Sequence, residues 1–248
     1  MKLIVNQIWL VSFGKRQYGR SQLGLAQRWW LLKMKIAKHL NAKMKIFLIL
    51  LVVILIAFVI LQLFAMRGQR NIETYPYVVN KKYDTFEIRS YEATLFTSVK
   101  LSTKGFKNSS SKGFSILAGY IFGNNERNEK ISMTSPVTMT LDDSMTMMFM
   151  VPRELKKEML PKPNQPLIEF KEEPAKTVAA IKFNGWANDN KIEKYKQKLK
   201  SGLDAEGITY SDRFYFLGYN PPYEVFNRKN EVIVELQEEA LEQIIKSQ

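Results

Sequence analysis

Cysteine is absent from the 248 residues, and histidine occurs once, as His39. The first absence excludes disulfides, thiolate metal sites, cysteine nucleophiles and a cysteine-linked lipid anchor. The second leaves everything after residue 39 without a histidine triad or a histidine general base. Residues 1–45 contain no Asp or Glu but ten Lys or Arg, so the other 27 basic and all 24 acidic residues lie beyond, and the formal +13 divides into +10 and +3. The near-balance after residue 45 argues against a basic nucleic-acid-binding face, so no nucleic-acid partner is expected. Motifs such as G-x-S-x-G, H-E-x-x-H, a phosphate-binding glycine loop or a dinucleotide fingerprint do not occur, and no enzyme class is indicated.

What the chain does have is an unbroken apolar run. Ile46–Ala65 is twenty residues long with Gln62 as its only strongly polar member. At about 1.5 Å per helical residue it covers about 30 Å, the thickness of a bilayer core. The run exceeds the apolar region of a cleaved signal peptide, and Leu63-Phe64-Ala65-Met66 makes a poor cleavage site. An uncleaved single-pass anchor is therefore expected. Lys33, Lys35, Lys38, Lys43 and Lys45 precede it, against Arg67 and Arg70 close behind. This puts the N-terminus in the cytoplasm and the following domain in the periplasm or outside the cell. Residues 1–45 read either as a basic arm meeting anionic lipid or as an extension outside the native protein, with Met34 and Met44 as other starts. Residues 66–76 form a linker, 77–236 a domain and 237–248 a tail.

Phe114–Val137 organises that domain. Phe114, Leu117, Ala118, Ile121 and Phe122 recur at helical spacing. Gly123-Asn124 is a helix stop, since glycine adopts the left-handed C-cap without steric penalty. After a charged turn, Ile131–Leu141 and Met145–Val151 read as strands, with Pro136 at a strand end and Asp142-Asp143-Ser144 between them as turn. Phe86 and Ile88 alternating with Glu87 and Arg89 predict a half-buried strand, and Ala93–Leu101 a second; Lys104–Lys112 reads as a polar loop whose Ser109-Ser110-Ser111 suit the start of a helix. A Pro-containing loop, Leu155–Pro166, separates this half from Leu167–Lys171 and Thr177–Phe183 as strands, Asp189–Leu203 as helix, and Phe214–Tyr219 and Glu231–Leu236 as strands. Each half is strand, strand, helix, strand, strand: an α+β fold with a pseudo-twofold repeat, preceded by one transmembrane helix.

Motifs in the same order resemble those of the SOUL, or haem-binding-protein, family. They are Tyr83-x-x-Phe86-Glu87-Ile88-Arg89-x-Tyr91; Leu117-x-x-Tyr120-Ile121-x-Gly123-Asn124; Lys130-Ile131-x-Met133-Thr134-x-Pro136-Val137; Tyr219-Asn220-Pro221-Pro222; and Arg228-x-Asn230-Glu231-Val232. The resemblance runs from about Tyr77 to Glu235. It implies a distorted antiparallel β-barrel of about eight strands with two helices, and a non-enzymatic binding protein for haem or another tetrapyrrole.

Haem iron is usually held by His, Cys, Met or Tyr, and the domain lacks the first two, so a histidine ligand cannot carry over. Met or Tyr ligation, or apolar contact with the ring alone, remains. Met133, Met139, Met145, Met147, Met148 and Met150 fit either a core strand or an adaptable pocket for a flat ligand, and thioethers would also suit copper(I). Asp142-Asp143 lacks the His or Cys of a metal site, and none is predicted. The expected apolar groove beside the first domain helix is lined by Leu117, Tyr120, Ile121, Met133, Met148, Tyr219 and Arg228, with Tyr223 as a further phenol. Arg89 and Arg228 could meet propionates or form ion pairs with Glu87 or Glu231. The motif residues Gly123, Asn124, Thr134, Pro136, Val137, Asn230 and Glu231 serve caps, strand ends and turns. An alternative is a sensor or partner-binding module similar to gyrase-inhibitor-type effector domains. An acidic residue inside an apolar cleft would favour that reading, and a Lys- or Arg-rimmed cleft would favour porphyrin. A carboxylate-based hydrolase is a third reading.

Overall fold

The computed structural model describes residues 41–68, 72–102, 105–142, 144–221, 224–225 and 227–237, with only the backbone of 64–68, 107 and 108. His39, Asp143, Tyr223 and the tail beyond residue 237 lie outside these. The chain divides into two compact units, residues 1–60 and 61–248.

The apolar run lies in helix α1 (Ala42–Gly68). Its stretch Ala42–Leu63, 22 residues whose most apolar 18 have a mean hydropathy of 3.4, is long and apolar enough to cross a membrane.

The described residues beyond it form nine strands: β1 (Tyr77–Lys82), β2 (Glu87–Tyr91), β3 (Thr94–Leu101), β4 (Val137–Thr140), β5 (Met145–Met150), β6 (Ile168–Glu173), β7 (Lys176–Asn184), β8 (Tyr210–Gly218) and β9 (Lys229–Leu236). They make one antiparallel sheet in the order β1-β2-β7-β9-β8-β4-β5-β3-β6. With β1 set aside, this order is a palindrome under exchange of β2, β3, β4, β5 with β6, β7, β8, β9. The pseudo-twofold axis therefore passes between β4 and β8. Helix α2 (Phe106–Ile121) packs on β3 and β5, and α3 (Asp189–Ala205) on β7, β9 and β8.

Two short links force the sheet to curl. Only Glu92-Ala93 joins β2 to β3, and only Pro174-Ala175 joins β6 to β7, yet each pair of strands stands six places apart. Six strand spacings in a flat sheet would span roughly 29 Å, whereas three Cα steps reach about 11 Å. The sheet bends into a half-barrel, drawn together at the links, with β1 and β6 as its edges. Strand alternation then sorts side chains between two cores. Leu101, Met147, Phe149, Ala179, Ile181, Phe216 and Val232 face the helices and pack with Leu117, Ile121, Leu199 and Leu203. Tyr91, Phe96, Met148, Met150, Val178, Tyr215, Leu217 and Ile233 line the interior of the curl, closed by Tyr75.

The fold departs from the sequence reading in four places. Most of Lys104–Lys112 is helix rather than loop, because α2 begins at Phe106, where the Asp189 carboxylate accepts the Phe106 N–H at 2.6 Å. This cap comes from the first turn of α3 and is invisible in local sequence. Ile131–Ser135 is not strand: the Ile131 N–H donates to the Ile121 carbonyl at the end of α2, and Thr134 Oγ1 to the Met150 carbonyl. Arg89 is not on a solvated face but fully buried, and Phe122 is exposed. Gly123 does end α2, at φ +113°.

Candidate functional site

A charged network crosses the interior of the half-barrel. Glu231 on β9 accepts from Arg89 on β2 through both oxygens, at 2.8 and 3.1 Å, and from the Tyr219 hydroxyl at 2.7 Å. Arg89 also donates to Glu87 at 3.0 Å and to the Tyr91 hydroxyl at 3.3 Å, and lies over the Tyr77 ring. Burial alone would raise the Glu231 carboxyl, but the hydrogen bond and charge of Arg89, with Lys229 and Tyr219, hold it below its ordinary value. Burial and the Glu231 charge push the Tyr219 phenol well up. Near the links, Lys176 bridges Glu173 at 2.8 Å and Glu235 at 3.3 Å over the Tyr215 ring, whose hydroxyl donates to Glu235.

A cavity of about 360 Å³ opens beside this network. Ile72 and Thr74 form one wall, Ser135 another, and the β8–β9 connection the rest through Tyr219, Asn220, Glu224, Asn227 and Lys229. The connection is clamped by Arg228, whose guanidinium donates to the carbonyls of Pro221 (2.8 Å), Glu224 (2.7 Å) and Asn220 (3.2 Å) and stacks 4.1 Å over Trp186. Burial pushes its pKa down. The Lys229 ammonium lies 3.8 Å over the Tyr219 ring and 3.2 Å from Glu231, a carboxylate already engaged by Arg89. Two cations thus share Glu231, and the second, the partly exposed Lys229, lines the cavity together with the buried carboxylate of Glu224.

The seven groove residues do not converge on one surface. Leu117, Tyr120 and Ile121 are buried between α2 and the sheet, and the Tyr120 hydroxyl donates to the Pro161 carbonyl at 2.9 Å. Burial pushes that phenol up to about 12. Met133 packs at the edge of the same core, whereas Met148 lies on the opposite face of the sheet. Tyr219 lines the cavity, and Arg228 shapes it through backbone carbonyls. Among the motif residues, the Asn124 side chain accepts from Asn164 and Asn230 donates to the Gly185 carbonyl. Pro136 follows a cis peptide bond, and Val137 opens β4. Asn125, buried and absent from the motif reading, holds the turn after α2 through four hydrogen bonds. Lys229 and Ser135 were missed as cavity residues. Adjacency to Asn230-Glu231 and to Thr134 was the only signal the sequence carried.

The family described as SOUL heme-binding protein matches residues 72–235. This chain belongs to the SOUL family. Heme-binding protein 1 of Xenopus laevis is 29% identical over 155 residues, covering 59% of this chain and 81% of the relative. Heme-binding protein 2 of Homo sapiens is 28% identical over 157 residues, covering 60% and 76%. Among solved structures, the EcmrR C-terminal domain superposes with a TM-score of 0.49 at 12% identity, covering 61% of this chain and 96% of that one.

The donor set of this SOUL domain suits the periphery of a tetrapyrrole better than its iron. Of the described cavity residues, only Tyr219 is of a type that ligates haem iron. Its hydroxyl is donated to Glu231, and burial beside that carboxylate keeps the proton on. Lys229 and the amides of Asn220 and Asn227 suit carboxylate groups instead. No cluster of three or more His, Cys, Asp or Glu able to hold a metal ion occurs among the described residues.

Proposed function

We propose that this protein is a non-enzymatic binding protein for haem or another tetrapyrrole, anchored in the membrane by α1 with its N-terminus in the cytoplasm and the domain outside. The ligand sits at the cavity, its carboxylate edge toward Lys229 and its ring on the apolar surface of Trp186 and Val225, both substantially exposed. The observation that supports this reading is the Lys229 ammonium in the cavity lining, in a chain of the SOUL family. The residues favour recognition of the ring and its acid groups without a protein ligand to iron.

The effector-sensor reading needs a carboxylate available to a cationic ligand. Glu224 in the cavity lining is the feature that suits it; the interior acids Glu173, Glu231 and Glu235 each have a Lys or Arg partner, and Lys229 in a chain of the SOUL family favours the tetrapyrrole.

The test is titration of the detergent-solubilised full chain with haemin and, separately, metal-free protoporphyrin. Saturable binding of both with comparable affinity is expected, weakened about tenfold, or 1.4 kcal/mol, by Lys229→Gln. Absence of saturable binding of either below about 100 µM, only about 5.5 kcal/mol of affinity, would remove the reading.

A further inference from the structure

The wall formed by Ile72 and Thr74 is not part of the sheet. It belongs to the segment that begins four positions after the end of α1 and runs into β1. This segment crosses the mouth of the curl and is fastened along its length. The Tyr75 N–H donates to the Ser135 carbonyl and the Ser135 N–H to the Glu73 carbonyl, both at 2.9 Å, so Thr74 and Ser135 form a parallel bridge. Ser135 Oγ donates to the Tyr219 carbonyl at 3.3 Å, linking the segment to the β8–β9 connection. The Glu73 carboxylate accepts the Arg153 N–H at 3.3 Å and pairs with its guanidinium at 3.4 Å. Beyond Thr74, the Tyr75 ring is driven into the interior, 4.4 Å from Tyr91 and 5.2 Å edge-on to Phe96.

The seat is opposed at one point. Tyr75 is only 4% exposed, and its hydroxyl has no hydrogen-bond partner among the described residues. Ring burial favours seating, and a buried phenol without a partner works against it. The segment therefore carries both strong fastenings and a built-in defect, and a ligand touching Ile72 and Thr74 interacts only with the seated form. A ligand with such a preference shifts the equilibrium toward that form.

We propose that Ile72–Tyr75 is a strap set by the ligand: Ile72 and Thr74 contact the bound molecule, and Tyr75 is the positioning residue that holds them in place. This rests on the tetrapyrrole reading of the cavity. Linkage makes the effect reciprocal: the factor by which the seated form binds better than the unseated one equals the factor by which binding shifts the seating equilibrium, and a variant that raises the seated fraction tightens binding by the ratio of the two fractions.

Metal-free protoporphyrin is the probe, and the detergent-solubilised full chain the sample. Affinity is measured by tryptophan quenching, and exchange of the Tyr75 and Ser135 amides by hydrogen exchange. Saturation is expected to slow both amides several-fold. Tyr75→Phe removes the orphaned hydroxyl while keeping the ring, so it is expected to slow both amides in the free protein and to tighten probe binding. Tyr75→Ala is expected to do the reverse. A purely structural Tyr75 would leave affinity unchanged in Tyr75→Phe. Saturable binding with unchanged Tyr75 and Ser135 exchange overturns the strap and leaves the tetrapyrrole reading standing; no binding at all overturns both. Lys229→Gln separates them further, since it is expected to weaken binding without altering strap exchange in the free protein.

Discussion

Arg89 and Glu231 lie 142 positions apart in sequence and meet through two hydrogen bonds of 2.8 and 3.1 Å, both side chains wholly shielded from solvent. The pair ties β2 to β9 across the interior. Removing one member leaves the other buried with a weaker partner, Glu87 for Arg89 or Lys229 for Glu231, so the loss is at most the about 3–5 kcal/mol of a fully stranded charge. Glu231→Leu and Arg89→Leu are each expected to lower the unfolding free energy by up to that amount, read as a lower denaturant midpoint. The double variant is expected to recover part of the loss, because neither charge is then left alone. A double-mutant cycle with no coupling would contradict the assignment.

Acid should weaken the same network. Glu231, Glu173 and Glu87 are each held below the ordinary carboxylate value of 4.5, cationic partners outweighing burial. A depressed native pKa contributes stability that is complete above the unfolded-state value and is lost as pH falls through the native one. Urea midpoints are therefore expected to be flat with respect to these groups from neutrality down to about pH 5, then to fall. The fall should be shallower in Glu231→Gln. An equal slope in that variant would remove Glu231 as a source.

Alkali should act through the interior phenols. Burial raises Tyr75, Tyr91, Tyr215 and Tyr219 above their ordinary value of 10, with nearby carboxylates adding to the shift. A raised native pKa contributes stability that is present below the unfolded-state value and lost as pH rises toward the native one. Ultraviolet titration is expected to show a fraction of tyrosines ionising only as the domain unfolds, and the same fraction titrating near 10 in denaturant.

Gly113 tests how closely α2 approaches the sheet. Alanine is the better helix former by about 1 kcal/mol. A Cβ at this position, however, would stand 2.8 Å from Leu101 Cδ1 and 3.2 Å from Met147 Cβ. Leu101 can adjust at its tip, but Met147 Cβ is fixed to the strand. Gly113→Ala is expected to be net destabilising, by about 1–3 kcal/mol of overpacking, read as a lower thermal midpoint. A stabilised variant would show that the helix can lift away.

Tyr219→Phe separates recognition of the ring from ligation of iron. It removes the hydroxyl that Glu231 holds and keeps the face on which Lys229 rests. Haemin affinity is expected to stay within about threefold, under ~0.7 kcal/mol, with an unchanged Soret position. A lost or displaced Soret band would make the phenol an iron ligand.

Much of the fold was legible because periodicity reports what each residue faces. The repeated strand-strand-helix-strand-strand order, the Gly123 stop and α3 follow from patterns local to a few turns or strands. The start of α2 did not, because its cap is the Asp189 carboxylate, more than eighty positions downstream. Ile131–Ser135 misread for a related reason: its apolar and β-branched residues satisfy their backbone through α2 and the strap, not through a sheet partner. Arg89 looked solvent-facing because alternation with Ile88 marks two faces without saying that both are covered.

The site was less legible still. Tyr219 and Arg228 were named from motifs, but Tyr120 and Met148, chosen beside them, lie in separate cores on opposite faces of the sheet. Ile72, Thr74, Ser135 and Lys229 come from three distant segments, and no spacing rule connects them. What the sequence determined by itself was the apolar helix, the internal repeat and the impossibility of histidine or thiolate chemistry in the domain, since composition and local periodicity suffice for these. What only the tertiary structure decided was the curl. Two two-residue links drew strands six places apart together, enclosed the Arg89–Glu231 pair and set the strap against the β8–β9 connection, and such closure depends on contacts that no local stretch of chain encodes.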